Sequence, residues 1–322
     1  MEPMLLKPAG KDYLWGGTRL KTEYDKQMDI EPLAETWECS AHPDGPSMIV
    51  TGQYAGMTLD KLLEVHPEYM GTKVDPEKGF PILVKFIDAD KDLSVQVHPD
   101  DAYALAHEHQ NGKTEMWYVM DAKPGARLVY GFAHKVTPAI LRKAVAEGTL
   151  SKHLQKVDVH KGDVFFMPAG TVHAIGAGAL IAEIQENSNV TYRVYDYERV
   201  DKHGNKRELH FDKALEVMSM DVQSSVRQMP RMVHYYPGCS RELLCRCQYF
   251  ETERIQVTEG FSFSVLETSF QVLLCLEGSG ELQLEEEAQQ VVRFSKGDCI
   301  FLPADLGRCH MSGKATLLKV RC

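Results

Sequence analysis

Most of this chain is written in a period of two. Short runs in which apolar and polar residues alternate are separated by Gly, Pro and Asp turn signals, the pattern of half-buried strands. Glu35-Thr36-Trp37-Glu38-Cys39-Ser40 predicts one such strand, with Glu35 or Glu38 at its ends, each expected as a surface carboxylate. Pro81-Ile82-Leu83-Val84-Lys85-Phe86-Ile87-Asp88 predicts a buried strand with a single lysine inside it. Such a lysine either snorkels to the surface or reaches an anion or a carboxylate at a strand end. Lys113-Thr114-Glu115-Met116-Trp117-Tyr118-Val119-Met120 predicts a third strand, with Glu115 on the face of Trp117. The polar, His-rich stretch just before it reads as a connection.

Helical spacing is rarer. Leu59, Leu62 and Leu63 predict a helix from Thr58 to about Val65 that stops before Pro67. Thr137-Pro138 supplies an N-cap and a proline at the first helical position, with Ile140, Leu141, Ala144 and Val145 as the buried stripe. A short helix is expected from Asp212 to Met220, after a turn at Asp201-Lys202-His203-Gly204-Asn205. The fold class is therefore mainly β, with a small helical insertion at about 133–156 between strands of a β-body.

One stretch departs from ordinary alternation. In Ser94-Val95-Gln96-Val97-His98-Pro99-Asp100-Asp101, the residues Ser94, Gln96 and His98 share one face while Val95 and Val97 share the other. The valines fill a core, and the opposite face offers a hydroxyl, an amide and an imidazole at one place. A strand with one polar face is usually half solvated. The sharper reading makes Gln96 and His98 metal ligands and requires partners elsewhere.

Composition narrows the function classes. A chain of 322 residues has room for two domains, or for one large β-body with additions, and 43% apolar with 25% charged residues is ordinary for a soluble protein. A net charge of −10 argues against a nucleic-acid partner, and a small anionic substrate would need a local basic cluster. No apolar run approaches a membrane span, and the N-terminus lacks a secretory pattern, so a cytoplasmic protein with no membrane partner is expected. That expectation discounts the sequon Asn189-Val190-Thr191. The eight cysteines have no framework spacing and read as free thiols, Cys245-x-Cys247 included.

The most specific stretch is Gly162-Asp163-Val164-Phe165-Phe166-Met167-Pro168-Ala169-Gly170-Thr171-Val172-His173. Gly and Pro shape tight turns at the ends of a strand so that a histidine projects into the mouth of a small β-barrel. The pattern resembles the second motif of the cupin family, with Ala177 standing where a cupin usually has Asn. It recurs: Lys161 to Ala169 matches Lys296-Gly297-Asp298-Cys299-Ile300-Phe301-Leu302-Pro303-Ala304. Phe270 to Glu285 supplies the strand, Gly-rich turn and strand expected before it. At the same offset His173 falls on Arg308, so the second copy is expected to be metal-free. Two cupin-type β-barrels (jelly rolls) follow: residues 1–230 as the catalytic domain with its helical insertion, and residues 231–322 as a degenerate barrel.

Gln96, His98, Glu115 and His173 then make a mixed N/O donor set with room for an exchangeable ligand, which suits zinc and, by ligand type alone, also Fe(II). The matches extend to Tyr13-Leu14-Trp15-Gly16, Glu35-Thr36-Trp37-Glu38, Ala41-His42-Pro43, Leu93 to Pro99 and Lys113 to Trp117. They continue through Pro168 to Ala174 and Ser188 to Asp196, in order over about residues 10 to 200. In this set the chain is similar to type I mannose-6-phosphate isomerases, in particular the short bacterial form.

The resemblance implies one Zn2+ per chain on Gln96, His98, Glu115 and His173. It implies Arg193 as the active-site arginine, and Lys85 and Ser94 as contacts to the phosphate of a small sugar-phosphate substrate. A further basic phosphate contact of longer members falls on Arg199, with different flanking residues. Glu183 matches a carboxylate proposed in proton transfer, with Lys113 or His42 in reserve. The implied reaction interconverts mannose 6-phosphate and fructose 6-phosphate through a cis-enediol. Two rivals are an Fe(II) oxygenase, which needs two neighbouring open coordination sites, and a non-catalytic sugar-sensing cupin. The sequence carries no signal of oligomeric state.

Overall fold

The computed structural model describes every residue except 201–203, 225, 229–231 and 286–290. It is mainly β, and its strands form three open antiparallel sheets. Asp201, Lys202 and His203 of the predicted turn lie outside the described residues; Gly204 has a positive φ of 82°.

Three sheets stack in layers. The middle one has six strands, in the order Val164–Met167, Glu115–Ala122, Ala179–Glu186, Ile82–Asp88, Glu35–Cys39 and Ala9–Lys11. It is packed on both faces, which explains why all seven residues of Ile82–Asp88 and all eight of Ala179–Glu186 are buried. Val84, Phe86, Met116, Tyr118, Ala182 and Ile184 point one way, onto Phe270, Val272, Leu274 and Phe301 of the C-terminal half. Ile87, Trp117, Val119 and Ile181 point the other way, onto Leu128, Tyr130 and Ile175.

Those last three belong to a five-stranded sheet ordered Tyr192–Tyr195, Val95–Val97, His173–Ile175, Arg127–Phe132 and Leu154–Asp158. Its outer face carries Val95, Val97, Ala174, Tyr192 and Val194 against Leu141, Ala214 and Met218 from two helices. These helices, Pro138–Ala146 and Phe211–Val217, are the predicted ones, and Thr137 caps the first by accepting from the Ile140 amide at 3.3 Å. The helix Leu59–Val65 also forms, stopping before Pro67.

The C-terminal half is a ten-stranded sheet that also takes in Met4–Lys7, paired with Cys299–Leu302, and Met48–Ile49. The internal repeat extends to backbone angles. Gly162 and Gly297 have φ of 91° and 96°, and at the same offset Gly170 and Asp305 have 85° and 61°. None of the eight cysteines forms a disulfide.

Four expectations are corrected. Glu35 and Glu38 are buried rather than surface carboxylates. Ile140 is 39% exposed, because the five-stranded sheet contacts only the Leu141 and Ala144 side of its helix. The His-rich connection contains a helix, Asp101–Glu108, capped by Asp100 accepting from the Tyr103 amide at 2.9 Å; only Ala104 is buried, so it has no apolar stripe to reveal it. Gln271–Leu284 is one continuous strand instead of two strands around a Gly-rich turn. It stays paired through a bulge at Cys275/Glu277 because the facing strand Gly307–Arg321 is equally long, and because Gly278 (φ 79°) lets the Lys314 carbonyl approach where a Cβ would lie 2.0 Å away.

Glu38 explains part of how the halves are joined. Its carboxylate accepts from Lys26 Nζ at 2.7 Å and from Thr36 Oγ1 at 2.6 Å, while Lys26 also donates to the Gly297 carbonyl of the repeated turn. Removing one partner of a buried pair strands the other charge. Lys26→Met is therefore expected to lower the unfolding free energy by about 3–5 kcal/mol in urea titrations, with Lys26→Met/Glu38→Leu recovering most of that loss; an unchanged midpoint for the single variant would contradict this account.

Candidate active site

Antiparallel register decides which side chains meet. In the six-stranded sheet Trp37 lies opposite Lys85, Lys85 opposite Glu183, Glu183 opposite Trp117, and Trp117 opposite Phe165, so the five form one transverse row on one face. In the five-stranded sheet Arg193 lies opposite Gln96 and Gln96 opposite His173. The two rows face each other across the interior of the sandwich. Where the apolar filling of Ile87, Leu93 and Ile175 ends, they enclose a cavity of roughly 260 Å³ lined by Ser94, Gln96, Lys113, Glu183, Arg193 and Lys85.

Beneath its floor, which Gln96 and Lys113 line, His98, Glu115 and His173 bring one ligand atom each to within 4.8 Å of one another, all fully buried. His173 Nε2 is 3.2 Å from Glu115 Oε1 and 3.4 Å from Gln96 Nε2, and His98 Nε2 is 3.6 Å from Glu115 Oε2. Each imidazole donates its Nδ1 proton to a backbone carbonyl at 2.8 Å, Val190 for His98 and Thr171 for His173. That fixes the tautomer and turns both Nε2 lone pairs toward Glu115. Burial keeps both rings neutral, pushing His173 down to about 4 and His98 well below its usual value, with Lys113 adding to the effect on His98.

Glu115 is the counterpart. Both carboxylate oxygens are shut off from water and make no well-aligned hydrogen bond, Lys113 Nζ beside Oε2 being their one ammonium neighbour among the described residues. Burial, reinforced by Glu183, pushes its carboxyl up to about 7 against the pull of Lys113 and Lys85. An orphaned buried carboxylate facing two neutral imidazoles and an amide is a donor set for a divalent cation, and the residues present fit one. Lys113 Nζ sits beside this group, 3.2 Å from His98 Nε2 and 3.3 Å from Glu115 Oε2.

Above the floor lies a buried ion triplet. Lys85 Nζ is 3.3 Å from Glu183 Oε1 and 3.7 Å from Glu35 Oε2. Each carboxylate also accepts an indole N–H at 2.9 Å, Glu183 from Trp117 and Glu35 from Trp37. Burial opposes charge on both Lys85 and Glu183, but Glu35 and Glu183 together raise Lys85, and Lys85 and Lys113 together lower Glu183. Lys85 thus reaches carboxylates, and Glu183 presents an ionised, fixed carboxylate to the cavity.

Arg193 enters from the facing row, its Nη1 donating to the Glu208 carbonyl at 2.8 Å and its Nε buried without a partner. Ser94 is buried and lines the same space. Arg199 is not brought there: its guanidinium is bound to Asp196 and lies over the Tyr197 ring at 5.1 Å. His42 packs edge-on against Trp37, with ring centroids 5.6 Å apart, and does not line the cavity. Sequence reasoning missed Arg207, which does line it, and Tyr13 and Glu35, whose roles depend on cross-strand register.

The fold and the donor set define a cupin-class β-protein with a candidate metal centre. The family model described as the type I phosphomannose isomerase catalytic domain matches residues 4–126, and the mannose-6-phosphate isomerase cupin domain matches residues 241–322. The chain is 37% identical over 316 residues to the mannose-6-phosphate isomerase ManA of Bacillus subtilis, covering 98% of this chain and 97% of that protein. It is 36% identical over 318 residues to the mannose-6-phosphate isomerase of Streptococcus mutans, again covering 98% and 97%. Its structure is similar to the crystal structure of the mannose 6-phosphate isomerase from Bacillus subtilis, with a TM-score of 0.92, 34% identity and 99% of each chain covered. The chain belongs to the type I mannose-6-phosphate isomerase family.

Glu115→Gln keeps the volume of the side chain while removing its charge. It is expected to weaken binding of a divalent cation, measured by equilibrium dialysis with Zn2+, by more than about a hundredfold, the upper range for residues that merely support ligands. Equal affinity in the variant would mean that Glu115 is not a ligand.

Proposed function

We propose that this chain is a zinc-dependent aldose-ketose isomerase that interconverts mannose 6-phosphate and fructose 6-phosphate through a cis-enediol. One zinc per chain would be held by Gln96, His98, Glu115 and His173. When bound there it would supply Lewis-acid polarisation of the sugar oxygens at C1 and C2. The observation that carries the reading is a cavity lined by an anchored carboxylate, Glu183, a guanidinium, Arg193, and the amide of Gln96, behind which the buried His98, Glu115 and His173 complete the donor set.

Isomerisation moves a proton between C2 and C1 of the open-chain sugar. Glu183 is the base: it is ionised, held by Trp117 and Lys85, and can take the proton from one carbon and return it to the other without leaving the cavity. Arg193 faces it with a buried Nε in search of an acceptor, which suits the negative charge that develops on the sugar oxygens. Glu183 itself is buried, which limits the access of bulk water to the exchanging proton. Ser94 is read as a hydroxyl donor to the substrate phosphate. Lys85 belongs to the same polar wall, and its two carboxylate partners make holding Glu183 its first task. Arg199, the remaining expected phosphate contact, acts in this reading through Asp196.

Residues 1–230 are read as the catalytic cupin-type barrel, and residues 231–322 as a degenerate one in which Arg308, paired with Glu285 at 3.0 Å, stands where His173 stands in the first. A cytoplasmic setting fits eight cysteines that form no disulfide.

A coupled assay following fructose 6-phosphate formation from mannose 6-phosphate is the direct test. Activity is expected to be lost on chelation and restored by Zn2+; undiminished turnover in a metal-free sample would overturn the reading. Glu183→Gln, which keeps the indole contact but cannot take a proton, is expected to lower kcat by about 10²–10⁴-fold with little change in KM. Lys85→Ala is expected to lower kcat as well, because it frees two buried carboxylates to protonate, and a KM effect alone would return Lys85 to the phosphate.

A further inference from the structure

The cavity has two electrostatic ends. At the Glu183 end both ammonium groups are already paired, Lys85 with Glu183 and Glu35 and Lys113 with Glu115, so among the described residues that wall offers a dianion no free cation. At the opposite end Arg193 has no carboxylate bonded to it among the described residues, and Arg199 and Arg207 share the one carboxylate of Asp196. Among the described residues, three guanidinium groups against the carboxylates of Asp196 and the exposed Glu208 leave that end positive in sum. Of the two that share Asp196, Arg207 lines the cavity and Arg199 does not.

Arg207 is well fixed for a residue carried on a connection. Asp196 is 5% exposed and grips it in a two-point fork, accepting Nε at 2.7 Å and Nη2 at 2.6 Å. The segment around it is stapled to Arg193. The His210 amide donates to the Arg193 carbonyl at 2.8 Å, the Arg193 amide donates to His210 Nδ1 at 3.2 Å, and Arg193 Nη1 reaches the Glu208 carbonyl at 2.8 Å. The cavity therefore presents two guanidinium groups held in a constant relation.

Resting on the function proposed above, we propose that Arg207 is the cationic contact for the substrate phosphate, and that Asp196 is the positioning residue that aims it. The phosphate of the sugar docks at the Arg207 end beside Ser94. The reacting carbons then reach the metal donors and Glu183, where Lys85 and Lys113 are already paired with carboxylates. Arg207 stands eight residues beyond Arg199, the position that the sequence pattern pointed to, and takes over its task because the antiparallel bridge between Val200 and Lys206 brings it back to the cavity wall.

The test uses the full chain in steady-state kinetics, with inorganic phosphate as a probe. Arg207→Ala is expected to raise KM for mannose 6-phosphate about 10- to 100-fold, with a smaller change in kcat, and to weaken competitive inhibition by inorganic phosphate by a similar factor. Arg207→Lys should restore part of both effects, since it returns the charge without the fork. Asp196→Asn should raise KM in the same direction with kcat nearly unchanged. Lys206→Ala, which removes an equal charge from an exposed neighbour, should change neither constant. Values for Arg207→Ala within about twofold of the parent would overturn the proposal. So would an equal weakening of phosphate and of the uncharged polyol mannitol, which would assign Arg207 a purely structural role. If the parent does not turn over mannose 6-phosphate at all, the functional reading fails by itself. Titration of inorganic phosphate into parent and Arg207→Ala still decides whether Arg207 is an anion contact.

Discussion

Strand register is the constraint on which the rest of this protein depends. The six-stranded sheet is packed on both faces, so every second residue of its strands goes to the C-terminal half and the others go to the interior of the catalytic sandwich. Lys85 and Glu183 meet because they are directly opposite in antiparallel strands, with Trp117 and Trp37 in the same row. A slip of one residue would turn this row toward Phe270 and Phe301 and put Val84 and Phe86 in the cavity. Such a slip would also leave two carboxylates and an ammonium unpaired in an apolar interface, at a cost of several kcal/mol per charge. The polar row thus enforces its own register.

The C-terminal half contributes to the site from a distance. Its apolar strands cover the outer face of the six-stranded sheet, and without that cover the alternation of Ile82–Asp88 would have no reason to be apolar on both sides. The covering is anchored by polar contacts as well as by packing. Lys26 ties Glu38 to the turn at Gly297, and Met4–Lys7 adds a strand from the other end of the chain to the sheet. A repeat whose donor positions carry other residues still has a structural task here, which is to keep the back of the catalytic sheet dry.

Sequence made the donor set legible for a specific reason. Gln96 on the short strand Val95–Val97 and His98 just beyond it lie two apart, and His173 sits at a fixed distance from Pro168 and from Gly170, whose φ is 85°, so local rules place them. Glu115 was legible as the fourth donor only in the company of the other three, because alone it reads as a capped strand end; the pairing of Glu115–Ala122 with two neighbours turns it inward. Glu35 and Glu38 were read as surface groups, since alternation says which residues share a face without saying that both faces are covered. The helix Asp101–Glu108 escaped because it has a cap and no apolar stripe, and Ile140 was misplaced because its helix touches the sheet along a narrower stripe than its apolar residues suggest. Arg207 was out of reach altogether. Its position depends on a connection that folds back, and no periodicity encodes that.

The buried charges also resolve an apparent conflict between the chain as a whole and its proposed substrate. A net charge of −10 would repel a sugar phosphate if it were spread evenly. In the cavity it is not: the arginines gather where the five-stranded sheet meets the connection after Tyr195, and the carboxylates gather on the six-stranded sheet. This division sets a direction along the cavity. In the proposed reading the anionic end of the substrate is drawn to one wall and its proton-exchanging carbons are left at the other, where a base must be charged and yet not pull the phosphate away. Lys85 meets both demands at once. It keeps Glu183 ionised in a dry site, and with Glu35 as its second partner it is too fully paired to compete with the arginines for the phosphate.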